Sequence, residues 1–119
     1  MSEPPRRIPV VFYRTSAGTE VVRDWLRSLP KEDRDVIGQD LMRVQYRWPV
    51  GMPLCRSLGQ GLWEVRSDLS SNRIARVLMF LSGERIVALH GFVKKTQKTP
   101  PADVALALKR KRQFVRDEE

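Results

Sequence analysis

A chain of 119 residues, 41% of them hydrophobic, suffices for one domain with a modest core, and two independent domains are not expected. Its formal charge of +8, from 22 Lys and Arg against 14 Asp and Glu, points to a polyanionic partner. A single cysteine, Cys55, rules out an intramolecular disulfide, no apolar run approaches a membrane span, and the basic start at Arg6 and Arg7 lacks the apolar stretch of a signal peptide, so a cytoplasmic protein with no membrane partner is expected.

Residues 1–7 are expected to form a flexible N-terminus. Val10-Val11-Phe12-Tyr13, a β-branched and aromatic run after Pro9, suits a first strand. Val22, Trp25, Leu26 and Leu29 then fall at helical spacing, with Ser16 and Thr19 as candidate caps and Pro30 as the stop. A second helix opens at Pro30, its stripe of Ile37, Leu41, Val44 and Trp48 ended by Pro49 and Gly51. The Pro- and Gly-rich residues 49–61 read as loop. Three strands follow, Leu62 to Ser67, Ile74 to Leu81 and Arg85 to Val93, with connections short enough for hairpins. Pro100-Pro101 precedes a last helix, Ala102 to Val115, in which Val104, Ala105 and Leu108 dock while Lys109-Arg110-Lys111-Arg112 stay in solvent. Residues 116–119 are expected to be a flexible acidic tail. The order β-α-α-β-β-β-α specifies one α+β domain over the whole chain, with helices packed on a mainly antiparallel sheet of about four strands.

The charge is unevenly placed. Residues 1–72 carry eleven Lys and Arg against nine Asp and Glu, whereas residues 73–116 carry eleven against two, Glu84 and Asp103. Nucleic acid fits this better than a membrane surface, because no long amphipathic helix sets bulky apolar residues opposite the basic stretches. A cationic face with no ligand is the plainer reading of the same charge.

Several site classes are absent. One histidine and one cysteine cannot build a structural zinc site, and there is no Gly-rich nucleotide loop or nucleophile elbow, so no metal or cofactor is expected. Strand alternation puts Trp63 and Val65 on one face and Glu64 and Arg66 on the other. Arg76 interrupts an apolar run, so it either pairs with Glu64 or lines an exposed concave face. His90, Phe92 and Lys94 share one parity, and Gly91, Val93 and Lys95 the other. The stretch from Phe92 to Pro101 holds three lysines and two threonines where a strand leaves the sheet, a place for ammonium groups and hydroxyls to converge on a phosphate, or else a solvated turn.

Three blocks, Gly61-Leu62-Trp63-Glu64-Val65-Arg66, Arg76-Val77-Leu78-Met79-Phe80 and the segment from His90 to Pro100, resemble the HigB-like, phage-related branch of the RelE/ParE toxin superfamily, over about residues 10–115. The resemblance implies a RelE-like fold and the toxin of a type II toxin–antitoxin pair. Its partners would be a cognate antitoxin, commonly with a helix-turn-helix domain, and mRNA on the ribosome, cleaved without a metal. By position, Arg76 and Lys95 would stabilise the phosphate and transition state, Arg66 would position RNA, and Lys94 or His90 would transfer protons. Arg73, Lys98, Lys109, Arg110, Lys111 and Arg112 complete the expected RNA-binding set. Relatives place a tyrosine, or a histidine with an acidic partner, near the C-terminus, whereas the last tyrosine here is Tyr46, which leaves the general acid and base open. The superfamily also contains non-enzymatic gyrase inhibitors of the ParE kind; Lys94, Lys95 and Lys98 together favour RNA.

Overall fold

Alternation along the hairpin strands sorts their apolar side chains onto two faces, and helices cover both. The computed structural model describes residues 7–118; residues 1–6 of the expected N-terminal tail, and Glu119, lie outside the described residues. The elements are β1 (Val10–Phe12), α1 (Val21–Ser28), α2 (Lys31–Arg47), β2 (Cys55–Gly59), β3 (Leu62–Asp68), β4 (Ile74–Ser82), β5 (Arg85–Lys94) and α3 (Pro101–Glu118). On one face Val22, Ile37, Leu41 and Val44 of α1 and α2 pack on Val65, Val77, Met79 and Ala88. On the other, Ala107 of α3 meets Leu62, Leu78, Phe80, Val87 and Leu89.

The sheet has five strands in the order β1-β5-β4-β3-β2, with β1 parallel to β5 and the remaining pairs antiparallel. This corrects the expected count of four, because β2 lies inside the stretch read as loop. Its Cys-Arg-Ser-Leu-Gly sequence has little β-branched character, and as an edge strand it needs to bury only one flank. The turn after it runs through left-handed backbone at Gly59, Gln60 and Gly61, which the glycines adopt without steric cost.

The helix ends also differ from expectation. Neither Ser16 nor Thr19 caps α1; Glu20 holds the cap position without a side-chain bond, and the Thr15 hydroxyl instead accepts the Thr19 N–H at 3.1 Å in the preceding turn. Pro30 is the cap residue of α2, and Trp48 at its far end meets Trp63 edge-on, 4.9 Å between centroids. Residues 116–118, assigned by composition to a tail, continue α3, and Glu118 reaches Arg85 at 3.1 Å.

One irregularity in the central ladder prepares the site. Leu78 pairs with His90 but Met79 pairs with Ala88, so Leu89 is an extra residue in β5. Strict alternation would send Leu89 and His90 to opposite faces. The bulge keeps both on the α3 side, where Leu89 joins the core and His90 reaches Asp103. Alternation then resumes, and Gly91 faces α1.

A Cβ added to Gly91 would sit 2.3 Å from the Trp25 ring. Gly91→Ala is expected to destabilise the fold by about 1–3 kcal/mol through overpacking. Trp25→Leu in the same chain should recover part of the loss, as read from urea unfolding midpoints.

Candidate functional site

The segment that follows β5, residues 95–100, folds back over the α3 face and is tied down from beneath by three charged side chains. Glu64 and Arg76 are both fully buried, on neighbouring strands, with Arg76 Nε 3.7 Å from Glu64 Oε2. Arg76 donates to the Thr96 carbonyl, and the Thr99 hydroxyl donates to Glu64. Arg66 lies at the rim, its Nε 3.4 Å from Glu64 Oε1, and donates to the Gln97 carbonyl at 2.8 Å. Burial pulls the Arg76 pKa below its ordinary value and nearby Arg66 adds to this, while Glu64 and Asp103 oppose it. Of the two readings that its sequence position allowed, pairing with Glu64 is the one found; Arg76 does not line an exposed face.

Beside this layer runs a chain of hydrogen bonds from β5 to the first turn of α3. His90 Nε2 is 2.7 Å from Asp103 Oδ1, and Lys94 Nζ donates to Asp103 Oδ2 at 3.2 Å. Arg110 NH1 lies 3.4 Å from His90 Nδ1 and donates to the Leu89 carbonyl at 2.8 Å. An arginine on Nδ1 and a carboxylate on Nε2 together select the tautomer with its proton on Nε2. Burial would raise the Asp103 pKa, but the bonds from His90 and Lys94 outweigh it and hold the carboxyl below the ordinary value of 3.8. Asp103 is therefore ionised at neutral pH, and its place in the first helical turn suits that charge.

The remaining candidate residues divide into free cations and internal ties. Lys95 and Lys98 are exposed next to Lys94, and Lys109 and Arg112 are exposed on α3. Arg110 and Lys111 do not stay in solvent as the sequence reading had it. Arg110 lies over the Tyr13 ring, and Lys111 donates to the Gln60 carbonyl above the Phe80 ring. Four consecutive helical residues spread over most of the circumference, so a basic run cannot all face outward. Arg73 clamps the β3–β4 turn to α2 through two bonds to Asp33, at 2.7 and 2.9 Å, and bonds the Ser70 carbonyl. Its geometry is that of a structural clamp.

Sequence reasoning missed Asp103 and Gln97, and read the Thr99 hydroxyl as facing a phosphate where it bonds buried Glu64 instead. Asp103 carried one faint signal, an acidic residue just after Pro100-Pro101 where a helix begins. A cleft of about 540 Å³ opens next to Arg66 and Gln97, between α2 and the strand ends. Among the described residues no three His, Cys, Asp or Glu side chains gather at metal-binding distance. No helix there is long and apolar enough to cross a membrane.

A family model described as phage-derived protein, Gp49-like (DUF891), matches residues 24–112. That span includes every candidate residue named above. No curated protein matches the chain.

Removing either half of a buried ion pair leaves an uncompensated charge, at a typical cost of about 3–5 kcal/mol. Arg76→Ala and Glu64→Ala should therefore each lower the thermal melting point, and unchanged melting would show that the pair does not hold the segment. Asp33 supplies a separate check. Its hydrogen bonds from Arg73 lower its pKa against the opposing effect of burial. A depressed carboxyl contributes stability that is complete above its unfolded value, near 3.8, and is lost as pH falls through the lower folded value. The gap in unfolding midpoint between wild type and Asp33→Asn should accordingly close as the solution is acidified below about pH 3.8.

Proposed function

The chain belongs to the phage-derived Gp49-like family, a RelE-like toxin family, and on that premise we propose that it is the toxin of a type II toxin–antitoxin pair, of the HigB-like kind, that stops translation by cutting mRNA on the ribosome. The observation that carries this reading is the His90–Asp103–Lys94 chain beside exposed Lys95 and Lys98. In self-cleavage of an RNA strand, the O2′–P bond forms as the P–O5′ bond breaks. A proton leaves O2′ and another must reach O5′, while negative charge grows on the phosphorane oxygens.

The residues fit these needs unequally. Lys95 and Lys98 meet the growing charge. Lys94, held by ionised Asp103 and half exposed, is the member of the chain that exchanges a proton with substrate. His90 has both ring nitrogens engaged, its Nε2–H on Asp103 and its Nδ1 facing Arg110, so it orients Asp103 and does not itself meet the substrate. Arg66, fixed between Glu64 and Gln97, positions the strand, and Arg76 holds the 95–100 segment in place from below. A strong free base is the missing part among these groups. That shortage is the reason for assigning the reaction to the ribosome, where the bound mRNA path and rRNA groups can supply orientation and a proton acceptor. The partner that restrains the toxin is a cognate antitoxin.

Expression of the chain alone should arrest growth with mRNA cut, and free RNA should be cleaved far more slowly than mRNA on programmed ribosomes. In single-turnover assays, Lys95→Ala should lose on the order of a hundredfold in rate while staying folded. Lys109→Ala with Arg112→Ala should weaken binding and flatten its salt dependence, leaving the saturated rate unchanged. Arrest with intact mRNA and damaged DNA would instead favour a gyrase-directed toxin.

A further inference from the structure

The cleft beside Arg66 has a different electrostatic character from the lysine strip that it adjoins. Its walls include two arginines, Arg43 and Arg66, and two aspartates, Asp40 and Asp68, so its formal charge cancels. Lys94, Lys95 and Lys98 next to it are exposed cations, of which Lys94 pairs with Asp103. A neutral cleft with both donors and acceptors, next to a cationic strip, has the polarity of a nucleotide: phosphate on the lysines, base in the cleft.

The ladder sets the scale of the arrangement. Lys94 is the register partner of Ile74, and Ile74 the partner of Asp68, so Lys94 and Asp68 stand two strand spacings apart, roughly 10 Å. Ile74 and Asp68 belong to the cleft. Val36, Leu54 and Ile74 give it apolar surface for a planar ring, and about 540 Å³ is room for a nucleoside. Its polar groups are held in place from both sides. Arg66 is bonded to the Gln97 carbonyl, and Asp40, 8% exposed, receives Arg43 NH1 at 2.9 Å on one oxygen. Asp68, at the end of β3, is exposed.

We infer that this cleft is a base-reading subsite that takes an unstacked guanine next to the scissile phosphate, with Asp68 accepting from its pairing edge. An ionised carboxylate only accepts hydrogen bonds. Guanine presents N1–H and the N2 amine side by side, the match for two carboxylate oxygens, whereas uracil offers one N–H between two carbonyls. Single-stranded RNA is commonly read in this way, with bases splayed onto side chains and bonded along their pairing edges. The Arg43 guanidinium, more than half exposed at the cleft wall, supplies a flat surface for stacking. The inference rests on the RNA-directed reading above but not on cleavage itself.

The test is a methyl NMR titration of the intact protein with GMP, AMP, CMP, UMP and inorganic phosphate, repeated on Asp68→Asn. GMP should shift the methyl resonances of Val36, Leu54 and Ile74 and bind on the order of tenfold more tightly than UMP, the discrimination typical of one good two-bond contact. Inorganic phosphate should leave those methyls unmoved. Asp68→Asn should bring GMP and UMP close to equal affinity with no change in melting, and on ribosomes should broaden the choice of cut sites. Methyls that respond to none of the nucleotides, or to all four equally, would overturn the subsite even if the protein cuts mRNA. The guanine-selective response without any cleavage would uphold the subsite and count against the nuclease reading alone.

Discussion

A carboxylate with no exposure sits on β3 at the α3 face, and the arrangement of the candidate site follows from what Glu64 must do to remain there. An unpaired buried charge is too costly to keep, so Glu64 draws in Arg76 from the neighbouring strand and Arg66 from two residues along its own. It also receives the Thr99 hydroxyl, while Arg76 takes the Thr96 carbonyl. Those bonds reach across the sheet to the segment after β5 and decide where that segment runs. Lys95 and Lys98 are presented to solvent because the residues between and beside them are held from below.

Charge in this protein therefore has two separate uses. Arg66, Arg73, Arg76, Arg110 and Lys111 are bonded to other parts of the chain, through carboxylates or backbone carbonyls. Lys95, Lys98, Lys109 and Arg112 stand exposed and carry the outward field. The total of +8 counts both kinds alike. The second set lies at the exit of β5 and along α3, while the first set keeps those two surfaces at a fixed relation to each other.

The bulge at Leu89 links the core to the chemistry. By placing one additional residue on the α3 side, it lets the same strand contribute Leu89 to the apolar cluster and His90 to Asp103. The ionised Asp103 then joins His90 to Lys94, a pairing that spans β5 and the first turn of α3. A histidine with an acidic partner is thus present here without a C-terminal tyrosine.

Local sequence determined the order and type of nearly every element, because period and turn chemistry act between near neighbours. The three hairpin strands and both long helices fall within a few residues of their expected ends, and the parities of Glu64 and Arg66, and of His90, Phe92 and Lys94, hold in the folded sheet. What sequence did not determine was anything set by a partner distant along the chain. The edge strand β2 owes its existence to pairing with β3, the position of β1 depends on β5, and Arg73 becomes a clamp only when Asp33 of α2 arrives beside it. Arg110 and Lys111 were lost among their exposed neighbours because composition does not record which side of a helix meets a sheet. Asp103, Gln97 and Thr99 entered the site for the same reason: residues 13 to 35 positions from their partners are brought within bonding distance by the tertiary fold alone.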